Sequence, residues 1–252
     1  EMKRYNRRNE QLADAAERSA VIADWMGAVP YPKEALNDAW KRFLWHQFHD
    51  DLTGTSIWEA YTYSWNDEFL AQGQFCDVIL ASAGAAASVM DTRAKGSPVL
   101  VYNPAAYSRR SLVEATVDLP AEAEGVAVYA PDGKTVPAQI VARDGARATV
   151  LFAAAMEPVS YAVYDVRAGK AGKGKVLRAS GNTLENRVYK VTLDANGDIA
   201  SVIDKRNGRD LVEKGRAFRL AVLTPNVSNR YPAWEIHKAT LDQTPEPVDT
   251  DV

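Results

Sequence analysis

The sequence predicts a multidomain α plus β chain: a three-helix bundle over residues 1–95, then an antiparallel β-sandwich region over residues 96–252, truncated and incomplete at its C-terminal end. Two observations predict it. Residues 1 to about 95 are rich in Ala, Leu, Glu, Arg and Trp, with proline only at Pro30 and Pro32, a helical composition interrupted once. The remainder is rich in Val, Thr and Tyr, with Gly, Pro, Asn and Asp at short intervals, the composition of strands and turns. The texture changes near Lys95-Gly96-Ser97-Pro98.

Three helices are expected over about 2 to 26, 33 to 49 and 55 to 92. Gly27 suits the stop of the first, and Pro32 suits the opening turn of the second. Thr55 or Ser56 can accept from the free backbone N–H groups that begin the third. Short connections between amphipathic helices imply antiparallel packing. Strands are expected near 98 to 103, 111 to 119, 125 to 130, 135 to 142, 147 to 153, 160 to 167, 184 to 194, 198 to 204 and 216 to 224. Pro131-Asp132-Gly133, Asp144-Gly145, Asn196-Gly197 and Asn207-Gly208 punctuate them as turns. Strands so closely spaced argue for a sandwich rather than βαβ units. Residues 168 to 175 read as a flexible basic loop, and no repeat of 20 to 50 residues is visible.

Composition bounds the function. With 46% hydrophobic and 25% charged residues the chain is of ordinary globular type. A net charge of -3 provides no basic face for nucleic acid. No run approaches the ~20 apolar residues that span a bilayer, so no membrane partner is expected. Both ends read as cut points, which leaves the compartment unread. The lone Cys76 rules out an internal disulfide framework or a cysteine-rich zinc module, and an apolar helical setting predicts a buried, inert thiol.

The stretch that carries chemistry runs from Trp40 to Ser56. At about 100° per residue, Leu36, Trp40, Phe43, Leu44 and Phe48 fall on one arc and are expected to face the core. Trp45 and His49 fall together on the far side, among Asp38, Lys41 and Arg42. An aromatic ring and an imidazole projecting from a polar face point to a partner, although a single surface tryptophan needs none. Asp50-Asp51-Leu52-Thr53-Gly54-Thr55-Ser56 then packs carboxylates and hydroxyls around one glycine, a loop able to address sugar hydroxyls or a metal. His49 and Asp51 also satisfy a bare His-x-Asp pattern that could supply two ligands to one cation. The only histidines are His46, His49 and His237, and they form no Glu-x-x-His or His-x-x-x-His pair. A complete metal site from this chain is therefore not expected, and a site shared with another domain stays open.

Gln47-Phe-His-Asp-Asp-Leu-Thr-Gly-Thr-Ser56 resembles the Gln-x-His-Asp-x-(Leu/Ile)-(Pro/Thr)-Gly-Thr motif of glycoside hydrolase family 38, the α-mannosidases. Further resemblances follow in the family's order. Leu100-Val-Tyr-Asn-Pro104 before Arg109 looks like the strand opening its β region. Leu184-Glu-Asn-Arg-Val-Tyr189 and Gly197-Asp-Ile-Ala-Ser-Val-Ile-Asp204 are similar to a later stretch. The resemblance implies a supersandwich-like β region and a metal-binding histidine at His49, one of four protein ligands to a single zinc ion. It implies that Asp50 contacts hydroxyls of bound mannose and borders the metal. Asp51 occupies a variable slot, Thr53 stands where many relatives have proline, and His46 falls outside the motif and is expected on the helix surface.

In the family, two carboxyls flank the glycosidic bond and zinc binds neighbouring sugar hydroxyls. Carboxyls about 5 Å apart give a covalent intermediate and retention. The resemblance implies that these groups and the other zinc ligands lie on a missing N-terminal barrel of the same protein. A mannose-containing glycan and that barrel are the implied partners, and the isolated chain is expected to be inactive. The rival readings are a non-catalytic carbohydrate-binding module, for which Tyr231-Pro-Ala-Trp234 could offer an aromatic platform, a structural scaffold, and a self-contained metal site on His49, Asp50 and Asp51.

Overall fold

The computed structural model describes residues 1–170, 177–223, 231 and 234–248. It is a mixed α and β chain with antiparallel sheets, divided into two compact units, Glu1–Lys173 and Gly174–Val252. The change from helices to strands falls inside the first unit, between Val89 and Ser97.

The helices are α1 (Met2–Trp25), α2 (Lys33–Trp45), the short α3 (His49–Thr53) and α4 (Trp58–Val89). Gly27 ends α1 as expected. It takes φ +67°, which lets its N–H reach Asp24 O at 2.9 Å and that of Ala28 reach Ala23 O at 2.9 Å, the paired bonds of a left-handed helix stop. Ala13, Ala16, Ala20 and Ala23 recur at helical spacing and are fully buried, so the α1 backbone packs close to α4. Leu36, Ala39 and Phe43 of α2 and Ala71, Phe75 and Val78 of α4 complete the core. Phe43 and Phe75 meet edge to face with centroids 6.4 Å apart, and Trp40 packs on Phe75 at 5.8 Å, a geometry favoured by the ring quadrupoles.

Two expectations for the helices are corrected. The second helix, expected to run to residue 49, stops at Trp45, and His49 opens a separate helix. Phe48 takes ψ 138°, which breaks the i to i−4 ladder, and Asp50 and Asp51 fall in the first turn of α3, where carboxylates meet the positive helix end. The fourth helix starts at Trp58 without a side-chain cap. Thr55 and Ser56 do not cap it: the N-cap is Ile57, and the Thr55 hydroxyl donates to Asp50 instead.

The first unit continues with β1 (Ser97–Asn103), β2 (Arg109–Asp118), β3 (Val126–Tyr129), β4 (Thr135–Val136), β5 (Ala138–Asp144), β6 (Arg147–Met156) and β7 (Ser160–Ala168). They form two sheets, ordered β1-β7-β3-β4 and β2-β6-β5. Both sheets feed one core. Alternate residues of β6, Ala148, Val150, Phe152, Ala154 and Met156, are buried against Val126, Val128, Tyr164 and Val166. The strand expected over 135 to 142 is split at Pro137, so that β4 pairs with β3 and β5 with β6. Pro137 has no N–H to place in a ladder, while its carbonyl accepts from Ala153 N at 3.0 Å. Tyr102 of β1 stacks on Tyr161 of β7 at 4.7 Å and donates its hydroxyl to Ala15 O of α1 at 3.2 Å, joining sheet to helix.

In the second unit β8 (Arg178–Ser180), β9 (Thr183–Glu185), β10 (Tyr189–Leu193), β11 (Ile199–Asp204) and β12 (Arg209–Asp210) form one antiparallel sheet in the order β12-β11-β10-β9-β8. The expected strand 184 to 194 is interrupted because Asn186 Oδ1 accepts from Val188 N and Tyr189 N, both at 2.7 Å, turning the chain. Of the strand expected over 216 to 224, Phe218 makes a single bridge to Ile199, and β13 (Ala221–Val222) pairs with β14 (Glu246–Pro247) beyond the short helix α5 (Lys238–Leu241). Residue 224, residues 171 to 175 of the expected basic loop, Pro232, Ala233 and the terminal Asp251-Val252 lie outside the described residues. Among the described residues no helix is long and apolar enough to cross a membrane.

Phe75 is fully buried at the meeting of three aromatic rings. Phe75→Ala should lower stability by about 3–5 kcal/mol, read by urea denaturation. Trp25→Ala, at a solvent-exposed helix end, should change it by less than about 0.5 kcal/mol.

Candidate functional site

The loop singled out in the sequence forms a compact knot between α2 and α4. Gly54 closes α3 with φ +95°, a conformation strained for any other residue, and turns the chain back over the helix. The backbone carbonyl of Asp50 then receives the N–H groups of Gly54, Thr55 and Ser56 at 3.2, 3.0 and 3.2 Å and the Tyr61 hydroxyl at 3.0 Å. The Thr55 hydroxyl donates to Asp50 Oδ1 at 2.8 Å, the Thr53 hydroxyl bonds to His49 O, and Lys3 Nζ donates to Thr53 O at 3.1 Å.

The knot turns His49 outward. Its side chain is 79% exposed, and that of the neighbouring Asp50 is 44% exposed. His49 Nε2 lies 3.6 Å from Asp50 Oδ1, too long for a hydrogen bond. Among the described residues no group bonds either ring nitrogen, and Phe48 packs on the imidazole with centroids 4.4 Å apart. Trp45 is exposed too, but the helix break places it and His49 on different helices, so the expected i, i+4 pairing on one helix face does not exist. Of the expected core arc Leu36 and Phe43 are buried and Trp40 is partly buried, whereas Leu44 and Phe48 are exposed. The buried arc is narrower than expected, Leu36, Ala39 and Phe43, and Phe48 lies beyond the break.

His46 is a further correction. Expected on the surface, it is 3% exposed. Its Nδ1 lies 2.7 Å from Asp51 Oδ2 and its Nε2 3.3 Å from Asp67 Oδ2. Asp51 Oδ2 also accepts from the Ser64 hydroxyl at 3.0 Å, and Asp67 Oδ1 accepts from Arg42 at 3.2 Å. Asp51 therefore points inward while His49 points outward, so the His-x-Asp pair does not converge on one cation. No cluster of three or more His, Cys, Asp or Glu side chains able to hold a metal forms among the described residues. His49 and Asp50 are the groups that remain accessible to an ion or sugar held mainly by other protein. His237 is exposed, 3.3 Å from Glu235, and Cys76 is half-buried, its thiol pushed up by burial and by Asp77. Trp234 is exposed.

The His46, Asp51, Ser64 and Asp67 network was not legible in the sequence, because its members are brought together across a helix break. The adjacent carboxylates at Asp50 and Asp51 were the available signal, since acids favour a first turn. Deeper in, Glu68 is fully buried and Asn9 Nδ2 donates to its carboxylate and, at 2.8 Å, to its carbonyl. Asn9 Oδ1 and Glu68 Oε1 find no partner among the described residues.

Residues 1–83 match the family described as the alpha mannosidase middle domain, about a third of the chain. Alpha-mannosidase 2C1 of Mus musculus is 25% identical over 255 aligned residues, which cover 98% of this chain and 22% of that protein. The crystal structure of an alpha-mannosidase from Enterococcus faecalis V583 shares the fold with a TM-score of 0.66 at 22% identity, over 86% of this chain and 28% of that one. A glycosyl hydrolase family 38 protein from Enterococcus faecalis does so with a TM-score of 0.67 at 22% identity, over 87% and 30%. The chain thus spans less than a third of the length of these relatives.

Burial pushes the Glu68 carboxyl up from its ordinary value. A carboxyl raised in the folded state stabilises the fold below its unfolded value and loses that contribution as pH rises through the folded one. Glu68→Gln removes the buried charge and adds a donor beside Asn9. It should raise the thermal midpoint at pH 7 relative to the unaltered protein, and raise it less at pH 4, in parallel calorimetric scans.

Proposed function

We propose that this chain is the middle portion of a zinc-dependent retaining α-mannosidase acting on terminal α-mannosides of glycans. In this reading residues 1–95 are a central three-helix bundle and residues 96–252 the opening of a β-sandwich region. His49 is one ligand to zinc, and Asp50 binds hydroxyls of the mannose ring beside it. The observation that carries the reading is an exposed imidazole, with no hydrogen bond to either nitrogen among the described residues, beside a half-exposed carboxylate in a loop that resembles the family motif. A histidine ring nitrogen is among the donors zinc takes.

One imidazole does not hold zinc tightly, so the remaining ligands come from an N-terminal barrel of the same protein, with the two reacting carboxyls. The fragment is inactive alone in this reading. Zinc bound there supplies a template and Lewis acid for neighbouring sugar hydroxyls. Asp50 accepts from the hydroxyls and fixes the ring's orientation, aided by the Thr55 hydroxyl, which holds Asp50 Oδ1. Trp45 and Phe48, exposed next to the loop, give the pocket an apolar wall on this side.

In the full-length protein His49→Ala should lower bound zinc and α-mannoside hydrolysis together, by metal analysis and a chromogenic assay. Unchanged metal stoichiometry would remove His49 from the site. Asp50→Asn should keep most of the zinc while lowering kcat/KM roughly tenfold to a hundredfold, the loss of about 1.5–3 kcal/mol from a charged hydrogen bond. Unaltered kcat/KM would take Asp50 off the substrate.

A further inference from the structure

In the short helix that carries His49 and Asp50 the one large apolar side chain, Leu52, is only half-buried. Apolar packing therefore gives its direction little support, and directed hydrogen bonds supply the rest. Those bonds fall on its two inner handles. One is the Asp50 carbonyl, held by Tyr61 at 3.0 Å. The other is the Asp51 carboxylate, which reaches into the helical interior, where His46 approaches at 2.7 Å and Ser64 at 3.0 Å.

His46 ties three elements at one point. It stands at the end of α2, grips α3 through Asp51 and grips α4 through Asp67. Both of its nitrogens face carboxylate oxygens, so the ring plane is fixed from two sides, and almost complete burial shields both contacts from competing water. Rotation of α3 about its own axis would swing His49 and Asp50 with it and would have to break the Asp51 contacts first.

We propose that His46 and Asp51, with Ser64, are positioning residues that aim the His49 and Asp50 side chains at the metal and sugar. This rests on the reading of His49 as a zinc ligand, and the residues act through α3 without touching metal or substrate. Outer partners of this kind orient zinc ligands, and their loss typically costs tenfold to a hundredfold in affinity.

The test uses the full-length protein and zinc alone, with zinc affinity read by competition against a chelator and folding read by thermal midpoint. His46→Gln retains a polar side chain but cannot meet both carboxylates, and should weaken zinc binding about tenfold to a hundredfold. Ser64→Ala removes one of the two bonds to Asp51, should weaken zinc binding to a smaller degree, and decides the matter if His46→Gln does not fold. Combined, the two should weaken binding by less than the product of their separate effects, because they act on one carboxylate. Tyr31→Phe breaks a bond to Glu17 elsewhere in the same helices and should lower the thermal midpoint with zinc affinity unchanged. If His49→Ala loses zinc while His46→Gln and Ser64→Ala hold it normally, the positioning role is overturned and the site reading stands. If His49→Ala holds zinc as well, the site reading falls. Equal zinc loss in Tyr31→Phe and Ser64→Ala would reduce the effect to general loosening and overturn the proposal.

Discussion

A five-residue helix whose one large apolar side chain is only half-buried has to be held largely by bonds that have direction, and that constraint organises the helical part of this protein. The α2 helix stops early because His46 is used as an interior post rather than as one more surface residue. Asp51 turns inward to meet it, and the turn at Phe48 is the backbone consequence. What remains on the outside is the imidazole of His49 and the carboxylate of Asp50, displayed by a loop whose own groups are otherwise bonded to one another.

Such an interior comes at a cost to stability. Carboxylates and an imidazole under the loop interrupt the apolar packing, and Glu68 and Asn9 each leave an acceptor without a partner among the described residues. Groups of this kind generally destabilise a fold by about 1–3 kcal/mol each. The helices compensate where they are narrowest. Alanines along α1 allow close backbone approach, and Trp40 and Phe43, within two turns of His46, pack with Phe75 of α4.

The sequence made the sites of change legible more readily than the geometry between them. Glycine and proline marked the end of α1 and the start of α2 because their effects are local. The β5 and β6 hairpin turned where Asp144-Gly145 indicated. Pro137 was readable as a residue but not as a break, since the apolar alternation of Val136, Ala138 and Ile140 continues across it. For the loop, the motif picked out His49 and Asp50. It left His46 and Asp51 unassigned because their pairing depends on a helix ending at Trp45, and a helical wheel drawn through residue 49 hides that ending. Ser64 and Asp67 lie a full helix away in the chain and carry no local sign of their role.

Pro137 ties the two sheets of the first unit together covalently. On one side of it the chain belongs to β4 and on the other to β5, in a different layer. Sliding one layer over the other would stretch the main chain itself, not merely unseat side chains. The sheet pair therefore resists shear as a laminate with a through-stitch does, and Tyr102, hydrogen-bonded to α1 from the same pair, anchors the helices to a comparatively stiff base.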